Sequence, residues 1–156
     1  MSDIHHMAGH LIRRIHQISM SLFQERMKSV GVDLTSVQFA ALSVLRENDG
    51  IDQATLAGLI AYDRATIGGV VDRLESKRFI KRETSKIDRR AKVLSLTPLG
   101  HGLLNQITPV VTALQPDILG GLSGAEKEQF LLLAERVATA GNSLSRAPLA
   151  TKDKAP

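Results

Sequence analysis

A chain of 156 residues with 20 Lys and Arg against 16 Asp and Glu, net charge +4, has the length of one domain and is large enough to bury a real core. It holds no cysteine, which excludes disulfides, thiol redox sensing and Cys-ligated zinc. With no tryptophan, one tyrosine and four phenylalanines it also lacks the rings of a single-strand stacking platform.

The first residues, Met1-Ser2-Asp3-Ile4-His5-His6, form no signal-like apolar segment. No run approaches the about 18 apolar residues of a membrane span, so a cytoplasmic protein without membrane association is expected. Apolar or small residues then recur in steps of four and three at Ile4, Ala8, Leu11, Ile15, Ile18 and Leu22. That spacing predicts a helix with a coiled-coil seam. A second strip, Met20, Phe23 and Met27, predicts packing on two sides near its end, and Gly31 marks the stop. His6 and His10, four apart, could share a helix face as metal ligands. With no cysteine and few acidic neighbours, a solvated or dimer-contact role is the preferred reading for His5, His6, His10 and His101, and no metal or cofactor is expected.

Thr35-Ser36-Val37-Gln38 is a capping box, in which Thr35 and Gln38 each satisfy a free backbone N–H. It opens a helix that turns Phe39, Leu42 and Leu45 inward and ends near Asn48-Asp49-Gly50. Asp52 is placed to cap a short helix reaching Ile60, and Asp63 to cap a second reaching Leu74. Phe79-Ile80-Lys81-Arg82-Glu83-Thr84 alternates with strand period, Ser85 to Arg90 is polar, and Ala91-Lys92-Val93-Leu94-Ser95-Leu96 returns as a second strand. Two short helices followed by a basic hairpin describe a winged helix-turn-helix.

Charge follows the same boundaries. Asp63 to Lys92 contains ten basic and five acidic residues, a local net of +5, which leaves −1 for the rest of the chain. Such concentration of one sign implies a polyanion-binding face, here double-stranded DNA. On the second short helix, Ile67, Val70, Val71 and Leu74 form an inward stripe, while Arg64, Ala65, Thr66, Gly68 and Gly69 face away. An Arg in the first turn can fork onto guanine, and Thr66 can touch a thymine methyl or a phosphate. The alternative for Arg64 is a solvated residue. Arg73 either reaches phosphate or pairs within the head.

Thr97-Pro98 starts another helix with apolar positions at Leu99, Leu103, Ile107, Val111, Leu114, Ile118 and Leu122. Pro109 and Pro116 within it predict a kink. Ser123-Gly124-Ala125-Glu126 is a second capping box, opening a last helix expected to bury Phe130, Leu133, Val137 and Leu144. The segment 146–156 is small, polar and Pro-bounded, and disorder is expected there. The fold class is therefore mainly α with a small β-wing: a single domain over 1–145, with a winged-helix lobe at about 35–97 and helices at about 3–30 and 98–145. The lobe is too small to cover that much apolar helix surface. A homodimer through the terminal helices is expected, with two recognition helices about 34 Å apart on a pseudo-palindrome.

Asp72-Arg73-Leu74-Glu75, Phe79-Ile80-Lys81-Arg82, Asp88-Arg89-Arg90 and Leu96-Thr97-Pro98-Leu99-Gly100, in this order and spacing, resemble the MarR family of ligand-responsive transcriptional regulators. The resemblance covers nearly the whole chain. It implies that Asp88 braces the wing tip by pairing with an Arg, that Arg90 enters the minor groove, and that Arg89 and Lys86 contact phosphates. Two departures stand out: Arg78 occupies a position where the family usually has Gly, and Gly68-Gly69 replace larger residues that reach bases.

The resemblance also implies an effector pocket between the dimerisation helices and the head. Arg14, with His10 and Gln17 on the same side and Phe39 and Tyr62 for ring contacts, would suit an aromatic carboxylate or its CoA thioester. A snorkelling or salt-bridged Arg14 is the equal alternative. The function expected is a repressor released by such an effector. An effector-independent architectural DNA-binding protein is the rival. No nucleotide loop, nucleophile elbow or carboxylate pair suggests an enzyme.

Overall fold

A computed structural model describes residues 3–150 of the chain. Six α-helices and one hairpin follow in order: α1 (Ala8–Ser29), α2 (Ser36–Glu47), α3 (Gln53–Leu59), α4 (Ile67–Ser76), β1 (Ile80–Thr84), β2 (Lys92–Leu96), α5 (Pro98–Ile118) and α6 (Gly124–Ala140). The fold is mostly helical with a two-stranded antiparallel wing, as the periodicities predict. Ile80 pairs with Leu96 at the wing's base and Thr84 with Lys92 near its tip. Ile51 adds a β-bridge to Leu94, donated by the Leu94 N–H at 2.8 Å, which ties the α2–α3 connection to the wing.

The helix starts follow the capping residues. Thr35 Oγ1 accepts from Gln38 N (3.2 Å) while Gln38 Oε1 accepts from Thr35 N (3.1 Å), and Ser123 and Glu126 repeat this exchange. Asp52 accepts from Thr55 N at 2.7 Å and Thr97 from Gly100 N at 3.1 Å, ahead of Pro98 in the first helical position.

Several starts and stops differ from expectation. Ile4–His6 form a separate 3-10 turn, and Met7 is extended, so α1 begins only at Ala8. His6 therefore leaves the face of His10 and bonds Asp3 instead, so the shared helix face that a His6–His10 pair would need is not formed; the His5 ring meets His10 edge-on at 5.2 Å. Helix α5 runs unbroken through Pro109 and Pro116 but stops at Ile118, short of Leu122. A further difference, at Asp63, lies in the turn leading into α4 and is described below.

The core gathers Phe23 and Met27 of α1, Leu42 and Leu45 of α2, Leu56 of α3, the α4 stripe, Ile80, Leu94 and Leu96 of the wing, and Leu104, Ile107 and Leu114 of α5. Each fully buried Leu or Ile contributes roughly 2 kcal/mol of transfer free energy. Arg26 donates to Asp117 at 2.7 Å across α1 and α5, and Lys77 Nζ donates to both the carbonyl (2.6 Å) and the carboxylate (2.9 Å) of Asp33.

The seam stays outside this core: Ile4, Leu11 and Ile18 are exposed and Ile15 and Leu22 half-buried, and Met7 and Ile12 beside it are exposed too. Helix α6 has no buried residue, contrary to expectation; Leu133 and Val137 are exposed, Phe130 is half-buried, and Leu144, in a turn beyond α6, is exposed. No other part of the described chain covers them, because the head's own core is already closed by α5. Among the described residues, no helix is long and apolar enough to cross a membrane.

Candidate DNA interface and effector region

The buried stripe of α4, Ile67, Val70, Val71 and Leu74, seats the helix on the head and leaves Gly69, Asp72 and Arg73 exposed. The helix itself begins at Ile67, three residues later than a cap at Asp63 would place it. Asp63 Oδ1 accepts from Ala65 N at 2.7 Å, a bond to the residue two along that closes a turn rather than capping a helix. Thr66 N and Ile67 N both donate to the Asp63 carbonyl (3.1 and 3.0 Å), so Arg64, Ala65 and Thr66 form an exposed turn leading into α4. The Ala65 N–H and then the Arg146 guanidinium hold the Asp63 carboxyl below the ordinary aspartate range.

The Arg73 guanidinium nitrogens lie 3.7 and 3.9 Å from where a Cβ on residue 69 would stand, so the Arg73 side chain extends back along the exposed face of α4. Gly68 lies beside Gln53 of α3, whose amide nitrogen would be 3.5 Å from such a Cβ. Arg73 makes no ion pair among the described residues. The cation that pairs within the head is Arg82, which the sequence did not single out. It bridges the carboxylates of Asp72 and Glu75 (3.0 Å to the latter), locking β1 to α4, and Asp72 chiefly raises its pKa. The signal was present in Asp72 and Glu75, three apart on one helix face.

At the wing tip, Ser85 Oγ accepts from Ile87 N and Asp88 N, both at 3.2 Å, and Asp88 Oδ1 accepts from the Arg90 backbone N–H at 2.9 Å. Asp88 thus braces the tip through the backbone of Arg90, where pairing with an Arg side chain was expected. Its short side chain reaches the amide two residues along, which leaves the guanidiniums outward. Lys86, Arg89 and Arg90 are all exposed. Ile87 stands among them with its side chain fully exposed, an apolar tip that the sequence reading missed.

The stop after α4 answers the question raised by Arg78. Phe79 N donates to the Leu74 carbonyl (3.0 Å) and Arg78 N to that of Glu75 (2.8 Å), the paired bonds that end a helix through a left-handed residue, with Arg78 at φ 63°. Ala61 (φ 51°) ends α3 the same way, through Tyr62 N to Ala57 O at 2.9 Å and Ala61 N to Gly58 O at 3.3 Å.

The residues suggested for an effector spread over more than one place. On α1, His10 is half-buried and Arg14 exposed, and it is Arg13 that bridges Gln17 (3.1 Å) and His10 (3.4 Å). Phe39 packs on Phe23 with ring centres 6.2 Å apart, while Tyr62 borders a cleft with Gly58, Asp63 and Arg64 near the recognition turn. A separate cleft of about 600 Å³ opens between α1, α5 and α6, lined by Ile15, Ile118, Leu119 and Phe130 together with His16 and Lys127.

Comparison with known proteins agrees with this geometry. The sequence model of the MarR family matches residues 34–92. The chain is 31% identical over 135 residues to the HTH-type transcriptional repressor NicR of Pseudomonas putida, covering 86% of this chain and 84% of that protein. Among solved structures it is similar to Bordetella bronchiseptica BpsR, whose DNA binding is regulated by 6-hydroxynicotinic acid (TM-score 0.79, 28% identity, 85% and 94% of the two chains). It is also similar to the Streptomyces coelicolor PcaV transcriptional regulator in complex with its natural ligand (TM-score 0.80, 29% identity, 90% and 98%). A winged helix-turn-helix with this wing, these helix ends and these relatives belongs to the MarR family of transcriptional regulators.

Proposed function

We propose that the protein is a transcriptional repressor that binds a pseudo-palindromic operator as a homodimer and is released by a small anionic effector. The observation that carries this is the division of the exposed surface. One end shows Arg64, Thr66, Arg73, Lys86, Arg89 and Arg90, while the terminal helices show Leu11, Ile12, Ile18, Leu131, Leu132 and Val137 uncovered. A second copy would cover the latter and place two basic heads on successive major-groove faces. Arg64 and Thr66 would meet base edges, Arg73 and Lys86 phosphates, and Arg90 the minor groove.

An effector of aromatic carboxylate type, free or as its CoA thioester, fits the helical module. The cleft between α1, α5 and α6 combines apolar walls with His16 and Lys127, and His10, Arg13, Arg14 and Gln17 lie along the same helix. Regulation by 6-hydroxynicotinic acid in the similar BpsR supports this ligand class. Binding there would favour a head spacing that no longer matches the operator.

The test is titration against the promoter DNA beside the protein's own gene at two salt concentrations, with and without aromatic acids and their thioesters. Tight, salt-sensitive binding released by one compound is the expected result. Binding that no compound alters would favour the architectural reading, and absence of binding would overturn both.

A further inference from the structure

The segment from Arg146, expected from sequence to lack structure, turns back onto the head over its described part. The Asn142 side-chain amide clasps Leu149 from both sides, accepting its N–H (2.8 Å) and donating to its carbonyl (3.0 Å). Ala150 N donates to the Gly58 carbonyl at 2.8 Å, and Arg146 Nη2 to Asp63 Oδ2 at 2.8 Å. Both targets belong to the helix-turn-helix. Gly58 lies in the last turn of α3, where its carbonyl takes Ala150 N as a second donor beside the longer bond from Ala61 N (3.3 Å), and a Cβ at that position would come within 3.1 Å of the Ala150 Cβ. Asp63 is the residue whose other oxygen holds Ala65 N, so one carboxylate joins this segment to the turn that displays Arg64, Ala65 and Thr66.

We propose that Arg146–Ala150 is a strap that sets the recognition turn from the end of α6, with Arg146 as a positioning residue for operator binding. The proposal rests on the DNA-binding reading above. Asp63 places a negative charge beside a surface that must approach phosphates, and Arg146 supplies the counter-charge that lets this carboxylate keep holding Ala65 N. The ion pair alone contributes little, because the Arg146 side chain is 90% exposed. The backbone bond to Gly58 and the Asn142 clasp give the strap its register. Because only Gly141 separates Asn142 from α6, whose apolar face lies bare, a shift of α6 on dimerisation or effector binding reaches the recognition turn through this route.

Hydrogen exchange of the free full-length protein, read in peptides spanning 58–67, tests the strap without DNA. Arg146→Ala and a chain stopped after Ser145 should each raise exchange there several-fold. Arg146→Lys and a chain stopped after Ala150 should not. Operator affinity should fall roughly threefold to tenfold in the first two proteins and stay near wild type in the others. Unchanged exchange in both would overturn the strap. Lower affinity without faster exchange would make Arg146 a plain phosphate contact, and faster exchange without an affinity change would remove its positioning role. If wild type binds no operator, the DNA reading and the role of Arg146 fail together, while exchange still decides whether the strap exists.

Discussion

The carbonyl oxygen of Phe79 lies 2.1 Å from where a Cβ on residue 100 would stand, so only glycine fits at Gly100. The same carbonyl accepts from Thr97 N at 3.0 Å, and Thr97 Oγ1 donates to the Arg78 carbonyl at 2.6 Å. The Leu96-Thr97-Pro98-Leu99-Gly100 pattern is therefore a clamp in which the start of α5 holds the root of the wing. Gly100→Ala should destabilise the fold by at least about 2 kcal/mol, because the obstacle is backbone that cannot rotate away. Denaturant unfolding of the purified variant would show it, and a midpoint equal to wild type would contradict the clamp.

Arg78 and Ala61 predict the opposite sign. Both occupy left-handed conformations that cost a residue with a Cβ about 1 kcal/mol. Arg78→Gly and Ala61→Gly should each raise stability by about 0.5–1 kcal/mol, less whatever glycine adds to the unfolded chain's freedom. A higher urea midpoint at unchanged slope is the expected readout.

Arg82 should matter to DNA binding without touching DNA. With 27% of its side chain exposed, it pairs with both Asp72 and Glu75 beside the proposed recognition surface. Arg82→Ala should cost about 1 kcal/mol in stability and also weaken operator binding, since two unpaired carboxylates would then face phosphates. Arg82→Lys should recover only part of both, because an ammonium cannot fork to two carboxylates as a guanidinium does. Equal behaviour of Lys and Arg at this position would refute the bridging role.

Base readout and phosphate contact separate by variant. Arg64→Ala should relax preference at one operator position by about 1–3 kcal/mol, whereas Lys86→Ala should weaken all sequences alike and lower the salt slope by about one. Fluorescence anisotropy on single-base operator variants, repeated over a salt series, distinguishes them. Ile87→Ser should weaken binding without changing that slope if the apolar tip contacts DNA.

Acid should destabilise the protein in a defined window. Lys77 lowers the pKa of Asp33, Ala65 N–H and Arg146 that of Asp63, and the Ser123 N–H that of Glu126. A carboxyl depressed in the folded state contributes stability that is complete above its ordinary value, 3.8 for Asp or 4.5 for Glu, and is lost as pH falls through the lower folded value. The melting temperature should thus hold on acidification to about those ordinary values and decline below them. Asp33→Asn, Asp63→Asn and Glu126→Gln should each flatten the acid limb. An acid limb unchanged in all three variants would remove these groups as its cause.

Local chemistry made much of this protein legible without coordinates. Thr35 with Gln38, Ser123 with Glu126, Asp52 and Thr97 act within one helical turn, so the residues that start those helices name themselves. Strand alternation did the same for the wing, and the local excess of cations marked the end proposed to face DNA. What tertiary structure decided involved partners distant in the chain or competing bonds of similar strength. Asp63 could cap a helix or close a turn, and the packing of Ile67 together with the bond to Ala65 N settled it for the turn. Arg82 finds Asp72 and Glu75 only because β1 lies along α4, and Arg146 finds Asp63 across 83 positions of sequence. The apolar faces of α1 and α6 were readable as apolar, but periodicity reports only that a face needs a cover; the closed core of the head shows that the described residues do not provide one.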